Sequence, residues 1–419
     1  MRNAKNAITS SRPSDGKRQQ LLFRGGGLYL SVFANPLRDL NQRNIAAGIV
    51  TSLLAITGPP AIILEAAAKG NFSTYQTVLW FFAVYVGGGI LGIILPLRYR
   101  IPIVGAHSIT GVAFLATVTS QFTYPELIGA YLLSGLLILA VGSLGAFAKL
   151  FAYVPREIIS AMLAGMITKY MISFIVSTSQ FLLVGGGALL VFFYFSKRAK
   201  RIPPMLAAIA AGCVLLLLSH NIGGAGMAAA FALPQAQAPE FSLAGFLSVA
   251  LPLALLILSN DCAVGLGALE QNDYRPPVNR IVAVSGLFSA IAGIFGGQSA
   301  NIGGMMTAIC AGEEAGPKEK RYMAAVVSGT IILIFGLFAW QLVPWIQALP
   351  APFIAILGGF ALLGVFINSL QISFSRPSMK LSATFAFMIA LANITILNIS
   401  APVWSLLAGT IIARYIENN

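Results

Sequence analysis

Arg100-Ile101-Pro102-Ile103-Val104-Gly105-Ala106-His107-Ser108 is the stretch on which the fold turns. It opens an apolar run that continues to residue 121, yet it does not start as a helix should. Pro102 disfavours helix at Ile101, and the β-branched Ile101, Ile103 and Val104 reinforce an extended start. Ser108, standing ahead of apolar residues, is an N-cap candidate. Segment 101–121 therefore reads as an extended lead-in to a short helix that begins near mid-membrane. Gly296-Gly297-Gln298-Ser299-Ala300-Asn301 repeats the pattern far along the chain, too rich in glycine and polar groups to open a spanning helix, whereas Met305 to Ala311 is helical in character. Irregular backbone at that depth is tolerated only where protein or a water-filled cavity satisfies its amides. Two half-helix amino termini facing one cavity would present free N–H groups and positive dipole ends to an anion or a polar ring. A single such segment would read equally well as a packing kink; two at matching places favour function.

The surroundings set the class. Of 419 residues 57% are hydrophobic and 9% charged, against roughly 25% charged in soluble domains. This excludes a cytosolic enzyme or a disordered scaffold. The apolar runs are continuous instead of alternating, which excludes a membrane β-barrel. A spanning helix needs about 20 apolar residues, and breaks at charged, Pro and Gly positions give about fourteen segments: 44–64, 74–96, 101–121, 125–148, 155–173, 179–196, 202–219, 244–266, 279–294, 295–312, 321–342, 351–371, 379–396 and 399–416. The expected fold is thus an all-α polytopic membrane protein. With the amino terminus cytoplasmic, all of the 26 Lys and Arg residues except Lys69 and Lys169 fall inside. That asymmetry assigns an even number of spans with both termini cytoplasmic, and it accounts for the net charge of +13 without nucleic acid. Residues 1–43 form a basic tail with neither an apolar signal core nor a cleavage site.

The chain divides around the loop 220–243 into two sets of seven segments, and an odd number per set inverts the second relative to the first. Landmarks recur in both. Thr57-Gly58-Pro59-Pro60 precedes the first half-helix much as Ser259-Asn260-Asp261 precedes the second, and Pro155 to Gly165 matches Pro350 to Gly359.

An intramembrane carboxylate is expensive to hold charged, so it is read as functional by default. Asp261, beside Ser259 and Asn260 in segment 8, is the leading proton-coupling candidate; a structural carboxylate held by its neighbours is the alternative. Glu65 is the second candidate, although its i, i+4 spacing from Lys69 makes an interfacial ion pair the simpler reading. His107 suits either proton transfer or a neutral ring satisfied by backbone. His107, Ser108, Ser259, Asn260, Gln298, Ser299 and Asn301 are the substrate-binding candidates; Gln298, Ser299 and Asn301 can instead cap the half-helix, or do both. Phe114, Phe288 and Phe295 are candidates for an aromatic pocket, with core or lipid contact the safer assignment. Cys213, Cys262 and Cys310 read as buried thiols, and no metal-binding, nucleotide or cofactor pattern is present. No nucleophile, base and orienting group form a set, which disfavours an enzyme.

Tyr99-Arg100-Ile101-Pro102-Ile103 leading to Ala106 and Ser108, Ala161-Met162-Leu163-Ala164-Gly165, Tyr274-Arg275-Pro276-Pro277-Val278, and Thr307-Ala308-Ile309-Cys310-Ala311-Gly312-Glu313-Glu314-Ala315 followed by Arg321-Tyr322 resemble the BenE family of benzoate:proton symporters from about residue 44 to the carboxyl end. The resemblance implies the seven-plus-seven inverted repeat shared with nucleobase and sulfate carriers. It further implies a core domain (44–153 and 244–345) moving against a gate domain (154–219 and 346–419), with substrate between segments 3 and 10 facing segment 8. A homodimer and a bacterial inner-membrane location are also implied. Against the family pattern, Glu65 and Asp261 replace uncharged polar residues, His107 replaces an aromatic, and Gln298 and Asn301 occupy the segment-10 loop. The expectation is a proton-coupled symporter importing a small organic anion, an aromatic carboxylate such as benzoate. A carrier of a neutral nucleobase-like ring is the runner-up because of Asp261, and a passive anion channel is the third reading.

Overall fold

The computed structural model describes residues 36–147, 149, 154–198, 203–219, 231, 233–397 and 399–417. Up to residue 35 the expected tail lies outside the described residues, as do Lys200, Arg201 and half of the loop 220–243. Contacts separate residues 1–38, whose described part belongs to a 3-10 turn, from residues 39–419, which hold the helices.

Helix α1 (Gln42–Thr57) and α2 (Pro59–Lys69) form one apolar span broken at Gly58. Pro59 and Pro60 have no N–H to continue the ladder, and a side chain on Gly58 would strike Ala361 at 2.5 Å. Helix α3 (Thr74–Tyr99) starts at a reciprocal cap: Gln76 N donates to Ser73 Oγ at 3.2 Å and Ser73 N to Gln76 Oε1 at 2.8 Å. Strand β1 (Gly105–Ala106) leads into α4 (Ile109–Val118). Then follow α5 (Tyr124–Ser143), α6 (Arg156–Gln180), α7 (Gly187–Arg198) and α8 (Pro204–Ser219). The long helix α9 (Leu243–Gln271) contains two π-helical turns, Phe246–Ala250 and Ile257–Cys262. After it come α10 (Val278–Ile294), strand β2 (Asn301–Ile302), α11 (Gly304–Ala311) and α12 (Tyr322–Leu337). Next are α13 (Ala339–Gln347), α14 (Ala351–Ser373), α15 (Lys380–Ala392) and α16 (Ala401–Ile412).

Among the described residues, 7 helices are long and apolar enough to cross a membrane. Two expected segments shrink. The run 101–121 is α-helical only over the ten residues of α4, and 295–312 only over the eight of α11, about 15 and 12 Å at 1.5 Å per residue. The run 321–342 splits at Phe338, whose φ of −95° and ψ of 13° leave the helical region. Asn393, in the left-handed region at φ 51°, ends α15.

Small residues let the helices approach closely. Helix α3 meets α12 through Gly89 and Gly329, and α5 meets α10 through Gly135, Gly142 and Gly286, each against backbone of the partner. Helix α6 packs on α14 and α15. Between these layers β1 and β2 pair antiparallel, Gly105 opposite Ile302 and Ala106 opposite Asn301.

Candidate substrate site

The strand pairing is backed by side chains that latch the two crossing segments. Ser108 caps α4, its Oγ accepting from Gly111 N at 3.0 Å. Its own N donates to Ser299 Oγ at 3.0 Å, and its carbonyl accepts from Gln298 Nε2 at 3.3 Å. Gln298 Oε1 in turn accepts from Trp80 Nε1 at 2.5 Å. Val104 closes the other side, donating to Thr307 Oγ1 at 3.2 Å and accepting from Gly303 N at 2.8 Å. Gly105 makes the crossing possible, because a Cβ there would collide with Gly88 O and Gly92 N of α3.

The crossing aims the first turns of α4 and α11 at one cavity of about 590 Å³, whose wall includes Ile109, Thr110, Gly303 and Gly304. Gly303 caps α11 without a side chain, so its first-turn N–H groups gain no side-chain acceptor there. At the far end of α11 the buried Arg321 donates from Nη1 to Ala311 O at 2.8 Å and from Nε to Gly316 O at 2.7 Å. Helix α9 supplies the next wall. Its second π-helical turn carries Asn260 and Asp261 onto the cavity, a common use of such turns.

His107 and Asp261 are each 6% exposed and both line the cavity. Neither His107 Nε2 nor Asp261 Oδ2 has a hydrogen-bond partner among the described residues. The His107 ring meets Tyr85 edge-on at 4.8 Å. Ser108 and Asn301 are polar neighbours of Asp261. The lining contributed by α7, α8 and α14 is mostly apolar: Phe192, Met205, Phe360, Leu363, Val365 and Ile367, together with Asn368.

Of the residues singled out in the sequence, His107, Asn260 and Asp261 thus share the cavity wall. Ser108, Gln298, Ser299 and Asn301 are fully buried behind it in the crossing. Ser259 supports Asn260, whose Nδ2 donates to its Oγ at 2.9 Å. Glu65 stands apart: it accepts from Lys69 Nζ at 2.7 Å and does not line the cavity. The wall's aromatic rings are Phe192 and Phe360, not Phe114, Phe288 or Phe295. Thr110 was findable from its place two residues after the cap. Phe360 and Met205 carried no signal, since an apolar residue facing a cavity looks like one facing lipid. A larger cavity of about 740 Å³ is lined by Arg156, Glu157, Glu270, Arg376 and Arg414. Its buried carboxylate, Glu157, is already paired with Arg376 at 2.8 Å, so the smaller cavity, with its unpartnered groups, is the candidate site.

The sequence profile of the family described as benzoate membrane transport protein, BenE, matches residues 38–415. The chain belongs to that family. A benzoate membrane transport protein of Acinetobacter baylyi is 28% identical over 373 residues, 89% of this chain and 94% of the relative. The inner membrane protein YdcO of Escherichia coli is 31% identical over 367 residues, covering 87% and 93%. The transmembrane domain of a cyanobacterial bicarbonate transporter, BicA, has the same fold at a TM-score of 0.56 and 16% identity, over 91% of this chain and 98% of that one. The murine anion transporter Slc26a9 in its inward-facing state aligns at 0.52 and 13% identity, over 98% and 76%. The BenE chain is therefore a multi-pass membrane transport protein, and the cavity at its crossed segments is where its cargo is to be sought.

Proposed function

We propose that this BenE-family chain is a proton-coupled symporter that imports a small aromatic carboxylate such as benzoate by alternating access. The observation that carries the reading is the make-up of the cavity lining: unpartnered polar groups of His107 and Asp261 beside two helix amino termini, together with Phe192, Met205 and Phe360 from α7, α8 and α14. An ion with a flat apolar body and one charged end matches both parts of that lining. Its carboxylate would lie at the starts of α4 and α11, where N–H groups and the positive dipole ends favour an anion, and its ring against the apolar lining. Asp261 is the proton site. Protonated, it donates to the bound carboxylate; when the proton leaves to the cytoplasm, the like charges repel and substrate is released.

In this reading about fourteen segments form the inverted repeat, with α4 and α11 as its half-helices and both termini cytoplasmic in a bacterial inner membrane. Residues 44–153 and 244–345 are the core that carries His107 and Asp261, and 154–219 and 346–419 the gate that carries Phe192, Met205 and Phe360; two chains associate as a dimer. Glu65, paired with Lys69, is the secondary candidate for proton coupling.

Proteoliposomes under an inward proton gradient test this. Labelled benzoate accumulates with the wild type, and accumulation is lost in Asp261→Asn. A neutral ring carrier is the second reading, favoured by the unpartnered acceptor Oδ2 of Asp261, which would suit a ring N–H. Uracil uptake without benzoate uptake would establish it and sink the first reading; current without proton coupling would indicate a channel.

A further inference from the structure

Helix α5 carries three buried hydroxyls that its packing does not explain. The Oη atoms of Tyr124 and Tyr131 and the Oγ of Ser134 have no hydrogen-bond partner among the described residues. Their spacings of seven and three place them on one face of the helix, reaching about 15 Å from its first residue into the bundle. Tyr131 and Ser134 are fully buried, and Tyr124 is half-buried at the start of α5. Leaving one hydroxyl without a partner costs about 1–3 kcal/mol, and a phenylalanine would fill each ring position without that cost. Three in a row on one face call for a polar occupant.

The face leads to the crossing. Tyr124 Oη lies against Gly296, 2.6 Å from where a Cβ would stand. Its ring meets Phe72 edge-on at 4.9 Å, Phe72 lies 5.5 Å from Trp80, and Trp80 lies 6.2 Å from Tyr131, ring centre to ring centre. Trp80 holds Gln298, and Gln298 holds the carbonyl of Ser108, one of the polar neighbours of Asp261. One turn below, Ser134 precedes Gly135, whose contact is Ala290 of α10, and the Oγ of the adjacent Ser289 donates to Ala300 O and accepts from Ala300 N. Asn301 Oδ1 and Asp261 Oδ2 continue the series of unpartnered atoms.

We propose that this hydroxyl ladder holds ordered water and carries protons between the outer surface and Asp261, separately from the substrate's cavity. The inference rests on the proton-coupled reading above. Buried waters make about three hydrogen bonds each, so waters bridging Tyr124, Tyr131 and Ser134 toward Gln298 and Asn301 would satisfy every orphaned atom named. A proton entering beside the half-buried ring of Tyr124 passes along this chain and ends on the Asp261 carboxylate, with one proton entering for one neutralised; no other bond changes. The ionisable groups around the route are Tyr75, Glu126 and Glu240 near Tyr124, Cys262 beside Asp261, and His107, which shares the cavity wall with Asp261 and meets Tyr85 edge-on. The remaining buried charges, Glu157 and Arg321, are committed elsewhere.

Tyr131→Phe and Tyr124→Phe/Tyr131→Phe remove hydroxyls while keeping rings. The full chain is assayed twice: benzoate accumulation in proteoliposomes driven by an imposed pH gradient, and equilibrium binding of labelled benzoate to the purified protein at one pH, which does not depend on how fast a proton reaches Asp261. The expected result is a gradient-driven rate lowered about tenfold, with the Kd for benzoate unchanged. Variants that accumulate benzoate like the wild type overturn the ladder and leave the symport reading intact. Variants that lose binding and accumulation together also overturn it, because that pattern belongs to damaged packing. A wild type that binds benzoate but ignores the pH gradient overturns the coupled reading and the ladder with it.

Discussion

At the scale of single residues, Gly105 and Asp261 show how differently sequence can speak. Gly105 lies between Gly88 and Gly92 with no room for a methyl group. Gly105→Ala should cost about 1–3 kcal/mol by overpacking and abolish uptake, measured by thermal melting in detergent and transport in liposomes. Gly267→Ala, where a Cβ meets nothing within 4 Å, is the control expected to behave as wild type. Nothing in the string Val104-Gly105-Ala106 distinguishes that glycine from the 41 others of the 42 in the chain, because the neighbours that exclude a side chain come from α3. Asp261 stood out in the sequence because a lone carboxylate in an apolar run has few ways to be satisfied, and the structure has it on the cavity wall. Ser108 was legible because a small hydroxyl ahead of a helix is a local device, and the structure has it capping α4. The i, i+4 spacing of Glu65 and Lys69 likewise announced their ion pair.

Among the elements, α11 is held at both of its ends by groups outside the helix. Eight residues make a helix too short to hold itself in place. It is pinned at its start by Val104 and at its end by Arg321. Arg321 both satisfies the terminal carbonyl and sets a positive charge against the negative end of the dipole. Arg321→Gln should lower stability by about 2 kcal/mol and raise the KM for substrate, with Arg321→Lys recovering part of each; melting curves and concentration-dependent uptake read the two effects. The π-helical turn at Ile257–Cys262 was invisible beforehand, since Ile257, Leu258 and Cys262 suit an ordinary helix. The pairing of β1 with β2 was equally hidden: two residues a side leave no alternation to read.

For the whole molecule, the multi-pass class followed from composition, while the walls of the cavity did not, because Phe360 and Leu363 differ from lipid-facing residues only in what stands opposite. The proposed orientation has a direct check. Ala68→Cys and Glu319→Cys sit at exposed positions, and Cys262 and Cys310 are buried, leaving Cys213 as the background to remove. In intact cells an impermeant maleimide should label position 68 and spare 319, with 319 labelled after lysis; the reverse pattern would invert the topology. The latch between β1 and β2 joins a strand near residue 105 to one near residue 301, so the short helices behind them cannot be exchanged one at a time. Anyone seeking to redirect this carrier to a new cargo by grafting parts from a relative must transplant both crossing segments as a matched couple. A chimera that takes only one will break the register before its new chemistry ever meets a ligand.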